Sequence, residues 1–329
     1  MRAVVIRHPG GPDVLEVEER PRPDPADGEL LVRVRSSALN RADLMQREGR
    51  YPAPAGVPAD VPGIEFAGEV AALGAGTRGW RVGDRVLGLV GGGAHAEYLT
   101  THADAVAPVP AGLAWDAAGA TPEAFITAYD ALVTQAALRA GERVLIHAVG
   151  SGVGLAAVQL VRALDAIPYG TSRTPDKVDR AREHGLAAGL ALPSGVESLA
   201  GAVAEWTGGA GVDVVLDLAG GRYVGASVDV LAPRGRLMLV GAVAGGRAEI
   251  DVRRVLSRRL TLRGTVLRSR SLPEKVAATR AFAADVLPLI AAGRCAPVID
   301  SVFPLEEVRT AHRRLEDNAS FGKVVLRVG

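Results

Sequence analysis

The segment that most constrains the fold of this chain is an apolar run followed at once by glycines and a helix-forming stretch. Arg143–Ala148 is short and largely apolar, three glycines lie within Gly150–Gly154, and Gly154–Leu164 has the composition of a helix. Glycines allow a tight turn and a close approach of the backbone to a ligand, and a helix start carries unpaired N–H groups. The segment therefore predicts the first strand, turn and helix of a βαβ unit, with a phosphate site at the turn.

The glycine spacing matches the G-x-G-x-x-G pattern of dinucleotide-binding loops only in part. It is better written as Ala-x-x-Ser-x-x-Gly over Ala148–Gly154, with Ser151 where a glycine is more usual. The alternative is a plain tight turn between a strand and a helix. A second strand predicted at Ala166–Thr171 follows at the distance expected for a nucleotide-binding unit, and it favours the phosphate loop.

The end of that second strand indicates which phosphate the site accepts. NAD sites carry an acidic residue about 20 residues beyond the loop, where it holds the ribose hydroxyls. Here Thr171, Ser172 and Arg173 offer hydroxyls and a guanidinium, and Lys177 follows about one helical turn on. This set predicts a 2′-phosphate and therefore NADPH, although Arg173 could also be an ordinary solvated side chain.

The nearest acidic residue has a simpler explanation. Thr174, Pro175 and Asp176 have the residue types of the N-cap, N1 and N2 positions of a helix. We therefore expect Asp176 to stabilise the start of a helix over Lys177–His184, and not to bind a ribose.

The rest of the chain indicates two kinds of structure. Up to about residue 120, short runs are separated by turns rich in glycine and proline, which is typical of a β-rich domain; the runs are Leu30–Arg35, Ile64–Leu73 and Arg85–Leu89, with a loop at Ala53–Pro58. Further on, Val212–Leu218 and Arg236–Val243 are continuous apolar strands, which fit a parallel sheet covered on both faces. A long helix over Glu274–Ala292 and a strand at Gly322–Arg327 are expected to return to the first domain.

Length, charge and cysteine content exclude several classes of protein. A chain of 329 residues suits two domains, and its single cysteine, Cys295, excludes an intramolecular disulfide and a cysteine-rich metal site. The formal net charge of +1 argues against a nucleic-acid binder. The chain shows neither a signal sequence nor a stretch of roughly 20 apolar residues, so we expect a cytoplasmic protein that does not enter membranes.

Several motifs resemble those of the medium-chain dehydrogenase/reductase superfamily, and within it the zinc-free quinone oxidoreductases. The motifs that carry the resemblance, in addition to the phosphate loop, are Ser37–Leu44, Gly49–Pro52, Pro62–Gly68, Val82–Val86 and Gly322–Leu326. Leu267–Arg270 and Ser151 are most similar to the p53-inducible quinone oxidoreductase group.

This resemblance implies an α/β fold with a Rossmann domain, a doubly wound parallel sheet, and a GroES-like β-rich catalytic domain formed from both chain ends. The expected domains are residues 1–122 and 267–329 for the catalytic domain and residues 123–266 for the NADPH-binding domain, with the cofactor in the cleft between them. A homodimer is also implied. The apolar stretch Leu260–Leu267 is expected at the sheet edge, where strands of two subunits can pair.

The resemblance also implies a set of site residues. Asn40 and Tyr51 are expected beside the nicotinamide as catalytic residues. The expected cofactor-binding residues are Thr127 at the carboxamide, Gly150, Ser151, Gly152 and Val153 at the pyrophosphate, Thr171, Ser172 and Lys177 at the adenosine phosphate, and Gly241, Ala242 and Val243 at the nicotinamide ribose. Arg173, from the end of the second strand, and Lys323 complete the set of expected cofactor-binding residues. Leu192 replaces a tyrosine often found near the adenosine phosphate in this family, which weakens the preference for NADPH.

No metal site is expected. Zinc-dependent relatives have a cysteine at the position of Asn40 and a histidine at the position of Ile64, and neither replacement is a usual zinc ligand. Without a Lewis acid, oxidation of a simple alcohol is disfavoured, and an acceptor that is already electrophilic is favoured.

Three functions remain open from the sequence. The first is an NADPH-dependent quinone reductase, and the second is an NADPH-dependent reductase of α,β-unsaturated carbonyls, with Tyr51 as proton donor. The third is a structural or RNA-binding protein that keeps NADPH as a ligand, as lens crystallin relatives do. Tyr51 could instead simply stack in its proline-rich loop, and Asn40 could be a turn residue.

Overall fold

The computed structural model describes residues 1–329, which divide into two compact units. The terminal unit contains Met1–Ile126 and Leu267–Gly329, and the central unit contains Thr127–Val266. The first change of unit, expected from the sequence at 122/123, lies at 126/127 inside a helix, and the second lies at 266/267. None of the helices is long and apolar enough to span a membrane.

The secondary structure comprises fifteen strands and eleven α-helices. The strands in chain order are β1 (Arg2–Ile6), β2 (Leu15–Glu19), β3 (Glu29–Ala38), β4 (Glu65–Leu73), β5 (Arg85–Leu89), β6 (Tyr98–His102), β7 (Val106–Pro108), β8 (Arg143–Ile146), β9 (Ile167–Ser172), β10 (Ala188–Ala191), β11 (Val212–Asp217), β12 (Leu231–Leu239), β13 (Thr261–Gly264), β14 (Ile299–Pro304) and β15 (Lys323–Arg327). The helices are α1 (Arg41–Arg47), α2 (Trp115–Gly119), α3 (Pro122–Tyr129), α4 (Gly152–Ala163), α5 (Pro175–Glu183), α6 (Leu199–Thr207), α7 (Arg222–Val230), α8 (Val252–Arg258), α9 (Leu272–Asp285), α10 (Leu287–Ala291) and α11 (Val308–Glu316).

The central unit is a doubly wound sheet of six parallel strands in the order β10-β9-β8-β11-β12-β13. In sequence order within the unit this is 3-2-1-4-5-6, the Rossmann arrangement, which confirms the predicted fold class. The order reverses between β8 and β11, and ligands bind α/β sheets at the carboxyl ends of the strands beside such a reversal. The loop after β8 is therefore at the position that the fold favours for a nucleotide.

The terminal unit is built from both ends of the chain around a mixed seven-stranded sheet. Its strands follow the order β14-β15-β3-β4-β5-β7, and β6 pairs with β3. The C-terminal strand β15 lies antiparallel beside β3, with Val325 opposite Ala38. This pairing brings the residues that follow β3 close to the start of β15.

The ends of several predicted elements differ from the structure, and three of these differences have a clear physical cause. The helix expected over Glu274–Ala292 is two helices, α9 and α10, because Pro288 lies in the first turn of α10 and has no N–H with which to continue α9. Strand β12 starts at Leu231, five residues before the predicted strand, since a bulge carries the chain past Pro233–Gly235. Helix α4 starts at Gly152, two residues early, because Ser151 caps it.

Candidate active site

A buried ammonium group organises the polar centre of the terminal unit. Lys323, at the start of β15, is 5% exposed, and its Nζ donates to Asn40 Oδ1 at 2.6 Å and to the Leu39 carbonyl at 3.0 Å. It also forms an ion pair with Glu65 Oε1 at 2.6 Å, and Glu65 is fully buried. A buried charge needs close partners, and here all three ammonium hydrogens have acceptors within the protein.

Glu65 and Asn40 complete this network. Asn40 Nδ2 donates to Glu65 Oε1 at 2.8 Å and to the Ala38 carbonyl at 3.1 Å. The other oxygen of Glu65 accepts the backbone N–H of Glu123 at 2.8 Å, so the carboxylate caps the first turn of α3. Asn40 therefore has both amide hydrogens engaged, and its side chain keeps only acceptor capacity at Oδ1 for a further contact.

The network changes what two predicted residues can do. Lys323 is expected from the sequence to contact the cofactor, but its ammonium has no hydrogen left to donate. Asn40 is expected to orient a substrate, yet it cannot donate a hydrogen bond without breaking one to Glu65 or Ala38. The structure brings these two residues together, and the sequence offered one signal for it, a lysine directly before three apolar residues of the same strand.

A second buried cluster holds the start of α1, the helix that follows Asn40. Asp43 is fully buried, and its carboxylate accepts the backbone N–H of Asn40 at 2.7 Å and that of Gly63 at 2.9 Å. Burial raises the pKa of Asp43 to about 6, and these two hydrogen bonds act in the opposite direction. Asp43 thus positions the backbone of Asn40 while the lysine network positions its side chain.

Tyr51 is clamped by an arginine that the sequence did not predict as a functional residue. The guanidinium of Arg268 lies 4.8 Å from the centre of the Tyr51 ring, within the range of a cation–π contact. Arg268 also donates to the carbonyls of Gly91 at 2.7 Å and Tyr51 at 3.2 Å and to the side chain of Gln46. Tyr51 is half-buried, and its hydroxyl makes no hydrogen bond within the protein. It is therefore held in place with its phenol free to donate.

The phosphate loop in the central unit is stabilised from within. Ser151 is the N-cap of α4, where its hydroxyl accepts the N–H of Gly154 at 3.1 Å and donates to the Ala148 carbonyl at 2.8 Å. A Cβ on Gly154 would lie 2.4 Å from that carbonyl, which explains the glycine. Ser151 thus acts on the loop backbone, and the loop fits a pyrophosphate through backbone N–H groups at the start of the helix.

Lys177 lies directly across this loop. A Cβ added to Gly150 would meet Lys177 Cδ at 2.9 Å and its Cβ at 3.1 Å. Gly150 and Ser151 directly precede α4, and Gly152 and Val153 begin its first turn. The aliphatic part of the Lys177 side chain therefore packs against the loop, and the backbone N–H groups at the start of α4 fit the phosphates of a dinucleotide.

The three residues predicted at the end of β9 face different surroundings. Thr171 is 1% exposed, and its hydroxyl is hydrogen-bonded to His147 Nδ1 at 2.8 Å, so it is not available to a phosphate. Ser172 is 7% exposed, and Arg173 is exposed. Leu192 is buried and pairs its N–H with the Ser172 carbonyl. Of the three, Arg173 is the one that solvent reaches freely.

Two residues beside Arg173 were missed by sequence reasoning. Burial raises the pKa of Tyr223, and the positive charges of Arg222 and Arg173 oppose that shift, so both guanidinium groups act on the same phenol. Arg222 is exposed and donates to the Ser194 carbonyl at 2.8 Å. The sequence signal for Arg222 is weak. Residues that bind the adenosine phosphate are expected at the end of the second strand of the unit, β9, whereas Arg222 follows two glycines after β11.

The remaining predicted cofactor residues are at two places. Gly241, Ala242 and Val243 follow β12, and Val243 is 58% exposed. Asp217, at the end of the neighbouring β11, accepts the N–H of Gly241 at its carbonyl. Thr127 lies within α3 and is 6% exposed.

Two families of known proteins match parts of the chain. The one described as alcohol dehydrogenase GroES-like domain matches residues 26–111, and the one described as zinc-binding dehydrogenase matches residues 195–326. A synaptic vesicle membrane protein VAT-1 homolog-like of Mus musculus is 32% identical over 100% of this chain and 81% of the relative. A quinone oxidoreductase of Pseudomonas aeruginosa is 35% identical over 96% of both chains.

The second family description names zinc, and the residues of this chain do not fit that metal. Asn40 and Ile64 offer an amide and an aliphatic side chain in place of the usual ligands. The one carboxylate beside them, Glu65, is already paired with the ammonium of Lys323 at 2.6 Å. A divalent cation there would be repelled by that ammonium, so this centre does not fit zinc.

Solved structures resemble the whole chain. Escherichia coli quinone oxidoreductase complexed with NADPH is 28% identical, covers 99% of this chain and 100% of its own, and has a TM-score of 0.88. The CurK enoyl reductase is 26% identical, covers 100% of this chain and 99% of its own, and has a TM-score of 0.87.

Proposed function

The chain belongs to the medium-chain dehydrogenase/reductase superfamily, and on that premise we propose that it is an NADPH-dependent quinone reductase that works without zinc. It is an oxidoreductase, and a nicotinamide cofactor is supported by the NADPH complex of a structural neighbour. The residues described below favour NADPH as the cofactor and a quinone as the acceptor.

The observation that carries the proposal is the ion pair between Lys323 and Glu65. It places an ammonium among the groups that would otherwise hold a metal, so the centre offers no Lewis acid to an alcohol. A quinone needs none, because its ring accepts a hydride readily and its product can take a proton from water. Binding and orientation are then sufficient contributions from the protein.

The cofactor would bind to the central unit. Gly150, Ser151, Gly152 and Val153 would hold the pyrophosphate at the start of α4, and Lys177 would add its charge across Gly150. Arg173 would pair with the 2′-phosphate, with Arg222 as a second cation beside it. We keep Thr127, Ser172 and Gly241–Val243 as further contacts. Bound in this way, NADPH supplies the hydride.

The terminal unit supplies the acceptor site. Tyr51 offers a free hydroxyl from a ring held by Arg268, and can donate a hydrogen bond to an acceptor oxygen. Asn40, held by Lys323 and Glu65, presents only a lone pair of Oδ1. We therefore assign Tyr51 the contact with the substrate, and Asn40 the role of an acceptor or a scaffold.

The same phenol favours a second candidate, the reduction of α,β-unsaturated carbonyls. Addition of hydride to the β-carbon of an enone leaves an enolate that must be protonated, and Tyr51 is a suitable donor. The likeness to an enoyl reductase supports this candidate at the level of the family.

Steady-state oxidation of NADPH with 9,10-phenanthrenequinone and with a short enone separates the two. Faster turnover of the quinone, largely retained in Tyr51→Phe, supports the first function. Dominant turnover of the enone, abolished in Tyr51→Phe, supports the second. No NADPH oxidation with a broad panel of either class would refute both and favour a structural or nucleic-acid-binding protein that retains NADPH.

The choice of cofactor has its own test. Fluorescence titration should show tighter binding of NADPH than of NADH, and the double variant Arg173→Ala/Lys177→Ala should remove the difference. Arg180→Ala, on the exposed side of α5, serves as the control for loss of positive charge. Equal affinities in the unmodified chain would contradict the assignment.

We also propose a homodimer formed at the edge of the parallel sheet. Strand β13 is the last strand of that sheet, and the apolar side chains of Val252, Leu256 and Val266 beside it are exposed. Open edges of this kind pair between chains. Sedimentation velocity should give twice the mass of one chain, and Leu256→Lys should shift the protein toward monomer.

A further inference from the structure

The terminal unit contains a small, partly open cavity with one charged end. Its volume is about 20 Å³, which is room for a group the size of one or two water molecules. The apolar part of its wall consists of Ile64, Leu89, Val90, Ile126, Leu267 and Ala278. The polar part consists of Glu123, Arg268, Lys275 and Thr279. A small polar group fits this space, whereas a ring does not.

Lys275 is a cation without a partner. It is half-buried on α9 and makes neither a hydrogen bond nor an ion pair within the protein. Burial lowers its pKa, and the positive charge of Arg268 lowers it further, with no carboxylate acting in the opposite direction. The charge of Arg268, in contrast, is offset by Asp43 and Glu123. The positive charge at the Lys275 end of the cavity is therefore unbalanced.

Thr279 provides a second unused group in the same wall. It lies one helical turn after Lys275, is 4% exposed, and its hydroxyl makes no hydrogen bond within the protein. Thr279 lines the cavity, so a ligand there can reach this hydroxyl. An anion in the cavity would satisfy the hydroxyl and the ammonium together.

The cavity is connected to the proposed acceptor site through Arg268. The guanidinium that lines the cavity is the same group that stacks on Tyr51 and binds its carbonyl. An acceptor that contacts Tyr51 could thus place a substituent into the cavity along Arg268. The positive charge in the cavity can therefore favour acceptors that carry a negatively charged substituent.

We propose that the cavity binds a carboxylate of the acceptor, so that the preferred substrates are quinones or enones that carry an acidic group. Lys275 supplies the counter-charge, Thr279 donates a hydrogen bond, and the apolar wall excludes water that would weaken both. A planar carboxylate suits the small volume better than a tetrahedral phosphate does. The inference rests on the proposed function, because it names the class of acceptor for that site.

The first experiment compares 9,10-phenanthrenequinone with its derivative that bears one ring carboxylate. The carboxylate should have the higher kcat/KM, and Lys275→Gln should reduce the ratio of the two values by about tenfold, as expected for one charge-assisted hydrogen bond. Arg280→Gln removes a charge from an exposed position of the same helix and should leave the ratio unchanged. A ratio near one in the unmodified chain, or one that Lys275→Gln does not alter, overturns the inference.

A binding measurement separates this inference from the proposed function. The carboxylate derivative and its methyl ester have nearly the same shape, and their dissociation constants can be measured by calorimetry without NADPH. The acid should bind more tightly, and Lys275→Gln and Thr279→Val should each remove part of the difference. Preferential binding of the acid without reduction of either quinone would refute the reductase but keep the carboxylate site. Equal binding of acid and ester would refute the site even if both quinones are reduced.

Discussion

Lys323 and Glu65 form an ion pair, with 2.6 Å between Nζ and Oε1, in the interior of the terminal unit. The pair joins the C-terminal strand β15 to β4, and through Asn40 it reaches the loop that follows β3. Three segments far apart in the chain therefore depend on one buried pair of charges.

Removal of the ammonium should destabilise the protein. Lys323→Met leaves the carboxylate of Glu65 buried without a counter-charge, and breaking such a pair costs about 3–5 kcal/mol. Urea denaturation measures the free energy of unfolding. The double variant Lys323→Met/Glu65→Gln should recover part of the loss because it removes the unpaired charge, and a loss below about 1 kcal/mol in the single variant would contradict the buried pair.

Arg268 should behave as a positioning residue for Tyr51. Arg268→Lys keeps the charge but loses the planar fork that binds two carbonyls and stacks on the ring. We expect kcat for an enone, whose reduction needs the Tyr51 hydroxyl, to fall about tenfold, in line with the strength of a desolvated cation–π contact, while kcat for a quinone and the KM for NADPH change little. If Tyr51→Phe and Arg268→Lys together lower kcat by the product of their separate effects, the two residues act independently and the clamp is not important.

Stability should decrease in mild acid because of buried histidines. His147 is hydrogen-bonded to Thr171 and Ser227, and burial lowers its pKa to about 4 from 6.5. Between these values the unfolded chain binds more protons than the folded chain, so the free energy of unfolding falls as pH falls from about 6.5 to about 4. His95, with a pKa lowered to about 3 by burial, adds to the same trend. Asp43, whose pKa burial raises to about 6, acts in the opposite direction between about pH 6 and pH 4, so it offsets part of the loss.

Chemical denaturation across this pH range tests the contribution of His147. The variant His147→Asn cannot take up the proton, so its stability should depend less steeply on pH than that of the unmodified chain. An unchanged slope would show that His147 is not responsible.

Gly150→Ala should change the preference between cofactors. The new Cβ would lie 2.9 Å from Lys177 Cδ, so the lysine must move away from the loop. If Lys177 contacts the 2′-phosphate, affinity for NADPH should fall more than affinity for NADH in a fluorescence titration. Gly201→Ala, where a Cβ meets no atom within 4 Å, is the control and should alter neither affinity. An equal loss for both cofactors would assign Lys177 to the pyrophosphate instead.

Local patterns predicted the central unit well. The strand, glycine turn and helix over Arg143–Leu164 are formed by neighbouring residues, and the structure shifts their ends by at most two residues, with β8 ending at Ile146 and α4 starting at Gly152. Continuous apolar strands correctly indicated a parallel sheet. The break at Pro288 was missed because a proline in the first turn of a helix is compatible with helix on its C-terminal side, so the composition alone looked continuous.

The candidate site was predicted less completely, because its contacts join distant residues. Lys323 and Arg268 bind partners more than 200 positions away in the chain, and no local pattern indicates such partners. Thr171 shows the same effect in reverse, since its residue type suits a phosphate but its hydroxyl is taken by His147. Residue type indicates what a side chain can bind, and packing decides whether it is free to do so.

By itself, then, the sequence determined the phosphate loop, the acid-free end of the second strand and the replacement of the usual zinc ligands, because each depends on residue types at short spacing. Only the tertiary structure decided how the charges are used. It paired the ammonium of Lys323 with Glu65 in the interior and left that of Lys275 unpaired beside a cavity. Two lysines of the same intrinsic chemistry differ in this way because the energy of a buried charge depends on which groups the fold brings within hydrogen-bonding distance.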